Sequence, residues 1–188
     1  YLNSLTDDKG EIVRIVGRLM SVQKDKMANE KIQRRAEIDA LTNVYNHKAF
    51  EEKCEKEIAK GKANAIFLMM DVDDFKLYND SLGHIAGDMA LCACVDTIKS
   101  CIRKSDLAIR YGGDEFLIII YDVTEDEFRK KLMDMQDAIN KTVIPEYSKL
   151  QLKVSIGGVL CKDETVTDAV LRADSLMYIA KNRKNIVI

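Results

Sequence analysis

The fold is decided by the hexapeptide Tyr111-Gly112-Gly113-Asp114-Glu115-Phe116, which lies between two short apolar runs, residues 107–109 and 116–121. Both runs have the length and composition of β-strands. A Gly-Gly step between strands predicts a hairpin turn, because glycine reaches positive φ without steric cost. The two acidic residues are then expected at the hairpin tip, outside the core of the sheet. Adjacent carboxylates at a tip indicate a metal site, although Asp is also frequent in turns for backbone reasons.

A second acidic cluster follows a stretch that has the composition of a buried strand. Residues 66–70 are continuously apolar, and the run ends abruptly in Asp71-Val72-Asp73-Asp74. A carboxylate at the end of a central strand, facing another on a hairpin tip, would supply the hard oxygen ligands that Mg²⁺ prefers. The alternative is that these aspartates only cap the helix that follows.

Taken together, these motifs resemble those of the GGDEF family of diguanylate cyclases. The hexapeptide is intact, and the resemblance extends from Asp39 to the C-terminus. Residues 39–46 are similar to the family's opening DxLTxLxN motif, with Asn43 where Gly is common and His47-Lys48 in place of an Arg pair. The resemblance implies a domain over 39–188 that condenses two GTP into cyclic di-GMP and pyrophosphate. His47 is expected at the surface, at the start of a helix.

The resemblance also implies which residues carry the reaction. Mg²⁺, with Mn²⁺ as an alternative, would be held by Asp71, Asp114 and the backbone carbonyl of Val72. Asp114 or Glu115 would help to deprotonate the attacking 3′-hydroxyl, and the sequence does not decide between them. Because phosphoryl transfer depends mainly on positioning and charge neutralisation, these oxygens together with the positive charge of Lys76 are expected to form the catalytic centre.

The triphosphate needs donors close to the acidic clusters. Lys76 follows Asp71 by five residues, and the backbone N–H groups of Asp74, Phe75 and Lys76 open a predicted helical turn, which is a natural anion site. Without the motif, Lys76 would be taken for a solvent-facing lysine.

Near the C-terminus, Lys181 resembles the late phosphate-binding lysine of the family's AKxxGRN motif. Residues 180–185 are one residue shorter than that motif and lack its Gly. The second basic charge is therefore assigned to either Arg183 or Lys184.

Guanine is expected to be bound by Asn79 and Asp88, which match the base-binding positions of the family. A carboxylate can accept hydrogen bonds from both N1–H and the N2 amino group of guanine, and adenine lacks both donors. The alternative is that Asp88 caps the helix that begins near Leu91.

Arg103 and Asp106 resemble the RxxD product-inhibition site, five residues ahead of the hexapeptide. Arginine binds phosphate through two parallel hydrogen bonds and stacks on guanine, so the pair suits cyclic di-GMP. The alternative is a surface ion pair of small energetic value.

The remaining pattern predicts helices that alternate with strands. Thr124 and Glu127 form a capping-box pattern, residues 150–160 form a strand interrupted at Gly157-Gly158, Thr167 opens the last helix, and residues 186–188 form a short closing strand. The expected fold is α/β (α+β), with a central, mostly antiparallel sheet covered by helices. Such a fold is related to ferredoxin-like and palm-type nucleotidyl cyclase domains.

The N-terminal residues differ in composition from the rest. Residues 1–21 resemble the last strand of a PAS sensor domain, with an unrelated N-terminal strand as the alternative. Residues 22–38 are charged and contain neither Gly nor Pro, which predicts a helical signalling linker that pairs with its copy in a homodimer.

Composition limits the remaining possibilities. The 29 basic and 31 acidic residues give a net charge of −2, which does not suggest a nucleic-acid partner. No apolar run approaches the roughly 20 residues of a membrane span, and the five cysteines lack a zinc-binding spacing. We therefore expect reduced thiols in a cytoplasmic piece without membrane contact. Because the chain starts at Tyr1, a longer, membrane-tethered protein stays open.

Two other functions compete with an active cyclase. One is a catalytically silent domain of the same family that binds GTP or cyclic di-GMP and signals through contacts. The other is a mononucleotide cyclase of the same palm-type fold. The intact hexapeptide and Asp71 argue against the first, and the complete set of motifs argues against the second.

Overall fold

The structure is a computed structural model, and it describes residues 24, 26–27, 36–58, 65–148, 150–162 and 164–188. The chain divides into two units, Tyr1–Glu37 and Ile38–Ile188. In the first unit the described residues are helical. The PAS-like assignment of residues 1–21 lies outside the described residues, as does most of the predicted linker.

The second unit is built on a five-stranded sheet with the order β1-β3-β4-β2-β5. Strand β1 pairs in parallel with β3, and the other neighbouring pairs are antiparallel. The predicted mostly antiparallel sheet is thereby confirmed. The strands are β1 (Tyr45–Asn46), β2 (Ala65–Val72), β3 (Leu107–Arg110), β4 (Glu115–Tyr121) and β5 (Val154–Cys161).

Helices cover both faces of the sheet. They are α1 (His47–Ile58), α2 (Phe75–Leu82), α3 (His84–Cys101), α4 (Glu125–Asn140) and α5 (Val166–Lys181). Their starts follow from capping side chains: Asn46 accepts from the Ala49 N–H, and the Thr124–Glu127 capping box is confirmed. Thr165 accepts from the Asp168 N–H, so α5 begins at Val166 and not, as predicted, at Thr167.

Strand β2 is the centre of the sheet, and all eight of its residues are buried. Ile66, Leu68 and Met70 pack in one hydrophobic cluster with residues of α3 and α4. Phe67 and Met69 face the opposite cluster, under α5. Because successive side chains of a strand point to opposite faces, a strand covered on both sides requires the continuous apolar run seen in the sequence.

The predicted interruption at Gly157-Gly158 is wrong, because β5 continues through both glycines. A Cβ on Gly157 would collide with backbone atoms of Met177 and Ala173 in α5. On Gly158 a Cβ would lie 2.5 Å from Leu132 Cδ2 of α4. The pair of glycines therefore allows one helix to approach each face of the strand.

The predicted strand at residues 150–160 begins later than expected, at Val154. The predicted closing segment is confirmed: Val187 pairs in parallel with Ile156, and the Ile156 N–H donates to Ile186 O at 3.0 Å. This pairing fixes the residues that follow α5 against the edge of the sheet.

Two sequence expectations concern the environment of the chain. The thiols of Cys92, Cys94 and Cys101 are free, and Cys94 is fully buried. None of the helices in the described ranges has the length and apolar character that crossing a membrane requires.

Candidate active site

The two acidic clusters meet at one end of the central strands. Asp71, near the end of β2, is paired in register with Glu115, the first residue of β4. The Val72 N–H donates to the carbonyl of Asp114 at 3.2 Å. The pairing of β2 with β4 thus brings together acidic residues that are more than forty positions apart in the sequence, as predicted.

The glycine turn works differently from the prediction. Among the described glycines only Gly83 has a positive φ, so the expected left-handed backbone at Gly112-Gly113 is wrong. The N–H groups of Tyr111 and Gly112 both donate to Glu115 O, at 2.9 and 3.2 Å. A Cβ on Gly112 would lie 2.5 Å from Glu115 Oε2. Gly112 is therefore required by the glutamate side chain that folds back over the turn.

Gly113 is different, because no protein atom lies within 4 Å of a Cβ built there. Its backbone is exposed at the hairpin tip, next to the two carboxylates. Neither packing nor backbone conformation explains a glycine at this position. A ligand that approaches the backbone closely would explain it.

Asp71 is an almost fully buried carboxylate, with 1% of its surface exposed. Lys181 Nζ donates to its Oδ2 at 2.6 Å, and its Oδ1 is buried without a hydrogen-bond partner. Burial, with the neighbouring Asp114 and Glu115, raises the pKa of Asp71 to about 6 against the opposing effect of Lys181. A buried, under-satisfied carboxylate next to a second acidic residue is a site suited to a cation.

Asp73 and Asp74 do not cap the next helix through their side chains, so that alternative is wrong. Asp73 accepts from Ser155 Oγ and from the Asn185 N–H, both at 2.7 Å. Asp74 precedes α2 in a left-handed conformation, φ 57°, and makes no side-chain cap. Instead it accepts from Lys184 Nζ at 2.8 and 2.9 Å.

The end of α5 and the segment after it bring both C-terminal lysines to the acidic cluster, Lys181 to Asp71 and Lys184 to Asp74. Lys184 and Asn185 have φ values of 56° and 50°. They adopt the left-handed conformation that the glycine of the longer family motif would reach more easily. Of the two candidates left open by the sequence, Lys184 lies in the acidic cluster and Arg183 is exposed. Lys76, on α2, is also exposed.

Asn79 and Asp88 lie on the two helices that meet at Gly83. A Cβ on Gly87 would collide with the Asn79 side chain, which therefore lies against the backbone immediately before Asp88. The ring of Phe75 also packs on Gly87, and its Cζ would lie 3.2 Å from a Cβ built on this glycine. Gly87 thus brings Asn79 and the exposed Asp88 to one junction between α2 and α3.

Arg110 is a residue that sequence reasoning missed. Its Nη1 donates to Asp39 Oδ1 at 3.1 Å, and its Nη2 donates to Gly113 O at 2.7 Å. Asp39 also accepts from the N–H and hydroxyl of Thr42. Although burial raises the pKa of Asp39, the hydrogen bonds from Thr42 and Arg110 outweigh that effect and lower it. An arginine directly before the hexapeptide was the available signal.

The opening turn has further support. Lys99 of α3 donates to the carbonyls of Thr42 and Asn43, at 3.1 and 3.2 Å. Asn43 has a φ of 54°, and asparagine tolerates this conformation better than most residues. The replacement of a common Gly by Asn43 is therefore compatible with the turn.

His47 begins α1 at the surface, as predicted, but its ring also packs on the hairpin between β3 and β4. The ring centroids of His47 and Tyr111 are 4.2 Å apart, and Phe50 meets Tyr111 edge-on at 6.0 Å. Helix α1 therefore contacts the residue that opens the glycine turn.

The RxxD segment adjoins a surface pocket of about 370 Å³, lined among others by Arg103, Lys104, Asp106, Val44 and Tyr45. Asp106 does not pair with the Arg103 side chain, so the alternative of a surface ion pair between them is wrong. Its Oδ2 accepts from the Arg103 N–H at 2.8 Å, and its Oδ1 accepts from the Tyr121 N–H at 3.3 Å. Arg103 itself is exposed.

The donor set fits a cation that keeps much of its coordination shell outside the protein. Within the described ranges, no group of three or more acidic, histidine or cysteine side chains converges on one point. Asp71 and Asp114 with a backbone carbonyl would give Mg²⁺ a partial shell, and this ion usually takes its remaining ligands from water and phosphate. The partnerless Asp71 Oδ1 supports this fit.

A mostly antiparallel sheet with paired carboxylates at the end of its central strand defines a palm-type nucleotidyl cyclase fold. The family model for the diguanylate cyclase GGDEF domain matches residues 36–186. This chain belongs to the GGDEF family.

Relatives share the same part of the chain. It is 34% identical over 151 residues to the probable diguanylate cyclase DgcJ of Escherichia coli, which covers 78% of this chain and 30% of DgcJ. It is also 34% identical over 123 residues to the cyclic di-GMP phosphodiesterase PdeB of Shewanella oneidensis, covering 65% of this chain and 14% of PdeB. The chain thus spans less than a third of the length of either protein.

A solved structure has the same fold over most of the chain. The coiled coil and GGDEF domain of DgcB from Caulobacter crescentus, in complex with c-di-GMP, superposes with a TM-score of 0.82 and 26% identity. The match covers 93% of this chain and 96% of that one.

Proposed function

We propose that this chain is an active diguanylate cyclase, which joins two GTP molecules into cyclic di-GMP with release of pyrophosphate. The observation that carries the proposal is the buried Asp71, whose open oxygen lies beside the hairpin residues Asp114 and Glu115. A buried carboxylate is costly unless a ligand uses it, which supports a site kept for a metal ion. The relative DgcJ is named a probable diguanylate cyclase, which is consistent with the same activity.

Asp71, Asp114 and the carbonyl of Val72 are the proposed ligands of Mg²⁺ or Mn²⁺. When bound, the ion would neutralise phosphate charge and polarise the α-phosphate. Asp114 or Glu115 would take the proton from the attacking 3′-hydroxyl. The Glu115 side chain folds over Gly112, so both carboxyl groups remain candidates for this role.

The triphosphate is proposed to lie between the hairpin tip and the start of α2. Gly113 leaves room there for a phosphate against the backbone. Lys181 and Lys184 pair with carboxylates of the acidic cluster, and Lys76 lies in the first turn of α2. The backbone of Asp74, Phe75 and Lys76 would supply further donors.

Guanine is proposed to bind at the junction of α2 and α3. Asp88 would accept from the N1–H and N2 amino groups, and Asn79 would complete the hydrogen-bond pattern. The contact of Asn79 with Gly87, the residue before Asp88, supports this assignment. An adenine base would leave Asp88 unpaired, which costs about 1–3 kcal/mol.

Catalysis is proposed to require a homodimer, because one domain offers one such nucleotide site and the product contains two GMP units. Residues 22–38 are the proposed linker that holds two domains together, and residues 1–21 the proposed end of a sensor domain. A substrate such as GTP is consistent with a cytoplasmic location.

Product feedback is proposed at Arg103. Its exposed guanidinium borders a pocket of about 370 Å³, together with Lys104. These two positive charges suit a phosphate of cyclic di-GMP. Asp106, whose oxygens both accept backbone N–H groups, would shape the loop and not bind product through a free carboxylate.

The proposal is tested by product analysis. The purified chain is incubated with GTP and Mg²⁺, and nucleotides are separated by chromatography, with Asp71→Asn and Asp114→Asn as variants. We expect cyclic di-GMP from the wild type, and none from either variant although both stay folded. Asp88→Ser should weaken the preference for GTP over ATP. Binding without turnover would indicate the silent module, and a 3′,5′-cyclic mononucleotide would indicate the other cyclase class.

A further inference from the structure

Both C-terminal lysines lie on carboxylates of the segment that ends β2. Lys181 Nζ is 2.6 Å from Asp71 Oδ2, and Lys184 Nζ is 2.8 Å from Asp74 Oδ1. In the proposed function the same lysines bind the phosphates of the nucleotide, and Asp71 binds the metal ion. A lysine that already holds the metal-binding carboxylate must move before both assignments are satisfied.

We propose that Lys181 is an exchangeable counter-ion of Asp71, which leaves this carboxylate when a divalent cation binds and is thereby released to the nucleotide phosphates. This inference rests on the proposed function and adds a link between its two ligands. Binding of the cation and binding of the nucleotide are coupled through one ammonium group.

The burial of Asp71 explains why it needs a resident cation. A carboxylate that is 1% exposed loses nearly all its hydration, and an unpaired charge in such a place is strongly disfavoured. Lys181 neutralises Oδ2, whereas Oδ1 stays without a partner. The carboxylate is thus half satisfied, and its second oxygen is ready for another ligand.

The location of Lys181 explains why it can leave. It is the last residue of α5, and its side chain is 47% exposed, so its departure uncovers no core. A divalent cation on Asp71 Oδ1 would repel the ammonium group on Oδ2 at close range, because both positive charges would share one carboxylate. The phosphates of a bound nucleotide would offer the displaced group a new anionic partner.

Lys184 supplies a matched control within the same segment. It carries the same charge, lies three residues further on and also pairs with an aspartate. However, Asp74 is 46% exposed and is not one of the proposed metal ligands. Removal of Lys184 changes the total charge near the site by the same amount without vacating Asp71.

The exchange predicts a reciprocal effect. If the cation raises nucleotide affinity by releasing Lys181, the nucleotide must raise cation affinity by the same factor. Without Lys181 no ammonium group opposes the cation at Asp71, so the cation should bind more tightly to the nucleotide-free protein. The part of the coupling that Lys181 carries should disappear, and the part that comes from direct contact between the ion and the phosphates should remain.

The test measures binding of Mn²⁺ alone to the whole, nucleotide-free chain, by electron paramagnetic resonance of the unbound ion. Lys181→Met should bind Mn²⁺ about tenfold more tightly than the wild type, a typical size for such a coupling. Lys184→Met should stay within about twofold, and Lys181→Arg should resemble the wild type. Thermal unfolding of each variant confirms that it is folded.

A second measurement uses a GTP analogue with a methylene group between the α- and β-phosphorus atoms. The gain in analogue affinity on adding Mn²⁺ should shrink in Lys181→Met and persist in Lys184→Met. Equal Mn²⁺ affinities in wild type and Lys181→Met, or an equal gain with the analogue, overturn the exchange but leave the metal site intact. Mn²⁺ affinity that is also unchanged in Asp71→Asn overturns the proposed metal site together with the exchange.

Discussion

Arg110 and Asp39 are joined across 71 residues, with Nη1 3.1 Å from Oδ1. Through Nη2 the same guanidinium holds the Gly113 carbonyl at 2.7 Å. The first turn of the second unit is thereby connected to the tip of the hairpin between β3 and β4. Three other hydrogen-bond donors support that turn: the N–H and hydroxyl of Thr42, which bond to Asp39, and the ammonium group of Lys99.

The first prediction concerns this connection. Arg110→Met should lower turnover, because the turn that carries Asp114 loses its brace. It should also lower the free energy of unfolding by about 1–3 kcal/mol, since the partly buried Asp39 loses a charged partner. The stabilising effect of ionised Asp39 is present at neutral pH and is lost as the pH falls through its lowered pKa.

Arg172→Met is the control for Arg110. Arg172 pairs with Glu164 at 2.6 and 2.7 Å, far from the hairpin in the sequence, and its side chain is 59% exposed. Its loss should cost at most about 1 kcal/mol and leave turnover unchanged. Equal turnover in the two variants would show that the brace has no functional effect.

The second prediction compares the two glycines of β5. Gly157→Ala should lower the free energy of unfolding by about 3 kcal/mol, because its methyl group meets the backbone of α5. Gly158→Ala should cost about 1 kcal/mol, since Leu132 and Phe128 can change rotamer. Urea unfolding measures both values. The reverse order of the two costs would contradict the packing described for the two faces.

The third prediction is a pH dependence in metal-free protein. The pKa of Asp71 is about 6 in the folded chain, against an ordinary value of 3.8. Between these pH values the folded state binds more protons than the unfolded state, so stability falls as the pH rises. Above pH 6 the ionised carboxylate should lower the free energy of unfolding by about 3 kcal/mol.

Asp71→Asn isolates this effect, because asparagine resembles the neutral acid at every pH. In the presence of a metal chelator, the free energy of unfolding of the variant should equal that of the wild type near pH 4 and exceed it at pH 7.5. Urea titrations at several pH values give the difference. A difference that does not grow with pH would mean that Asp71 ionises at its ordinary pKa.

The fourth prediction separates the two residues of the RxxD segment. Arg103→Ala should abolish calorimetric binding of cyclic di-GMP to nucleotide-free protein and relieve non-competitive inhibition, with little change in the uninhibited rate. Asp106→Ala should instead lower the free energy of unfolding by about 1–3 kcal/mol, because two backbone N–H groups lose their acceptor. Equal product affinity in wild type and Arg103→Ala would exclude the inhibitory site.

Local patterns were enough to locate much of the fold and the acidic site. The apolar run before Asp71 predicted a strand buried on both faces, and Thr124 with Glu127 predicted the start of α4. These features depend on residues close together in the sequence, so their physical causes are visible there. The meeting of Asp71 with the hairpin also followed, because two strands that end in carboxylates pair in one sheet.

Features that depend on distant neighbours could not be predicted in this way. Gly157 looked like an interruption of the strand, because the helix backbone that requires a glycine there, that of α5, lies some twenty residues further on. The partner of Arg110 lies 71 residues away. Similarly, the left-handed Lys184 and Asn185 replace a glycine whose absence made the motif look incomplete.

Strand β2 lies between β4 and β5, both of which follow it in the chain. A growing polypeptide must therefore hold β2 without partners until the later strands are available, and such long-range pairing is slow. Asp71 meets Asp114 and Lys181 only when that insertion is complete. The acidic centre therefore needs β4 for Asp114 and α5 for Lys181, and it is complete only when the elements on both sides of β2 are in place.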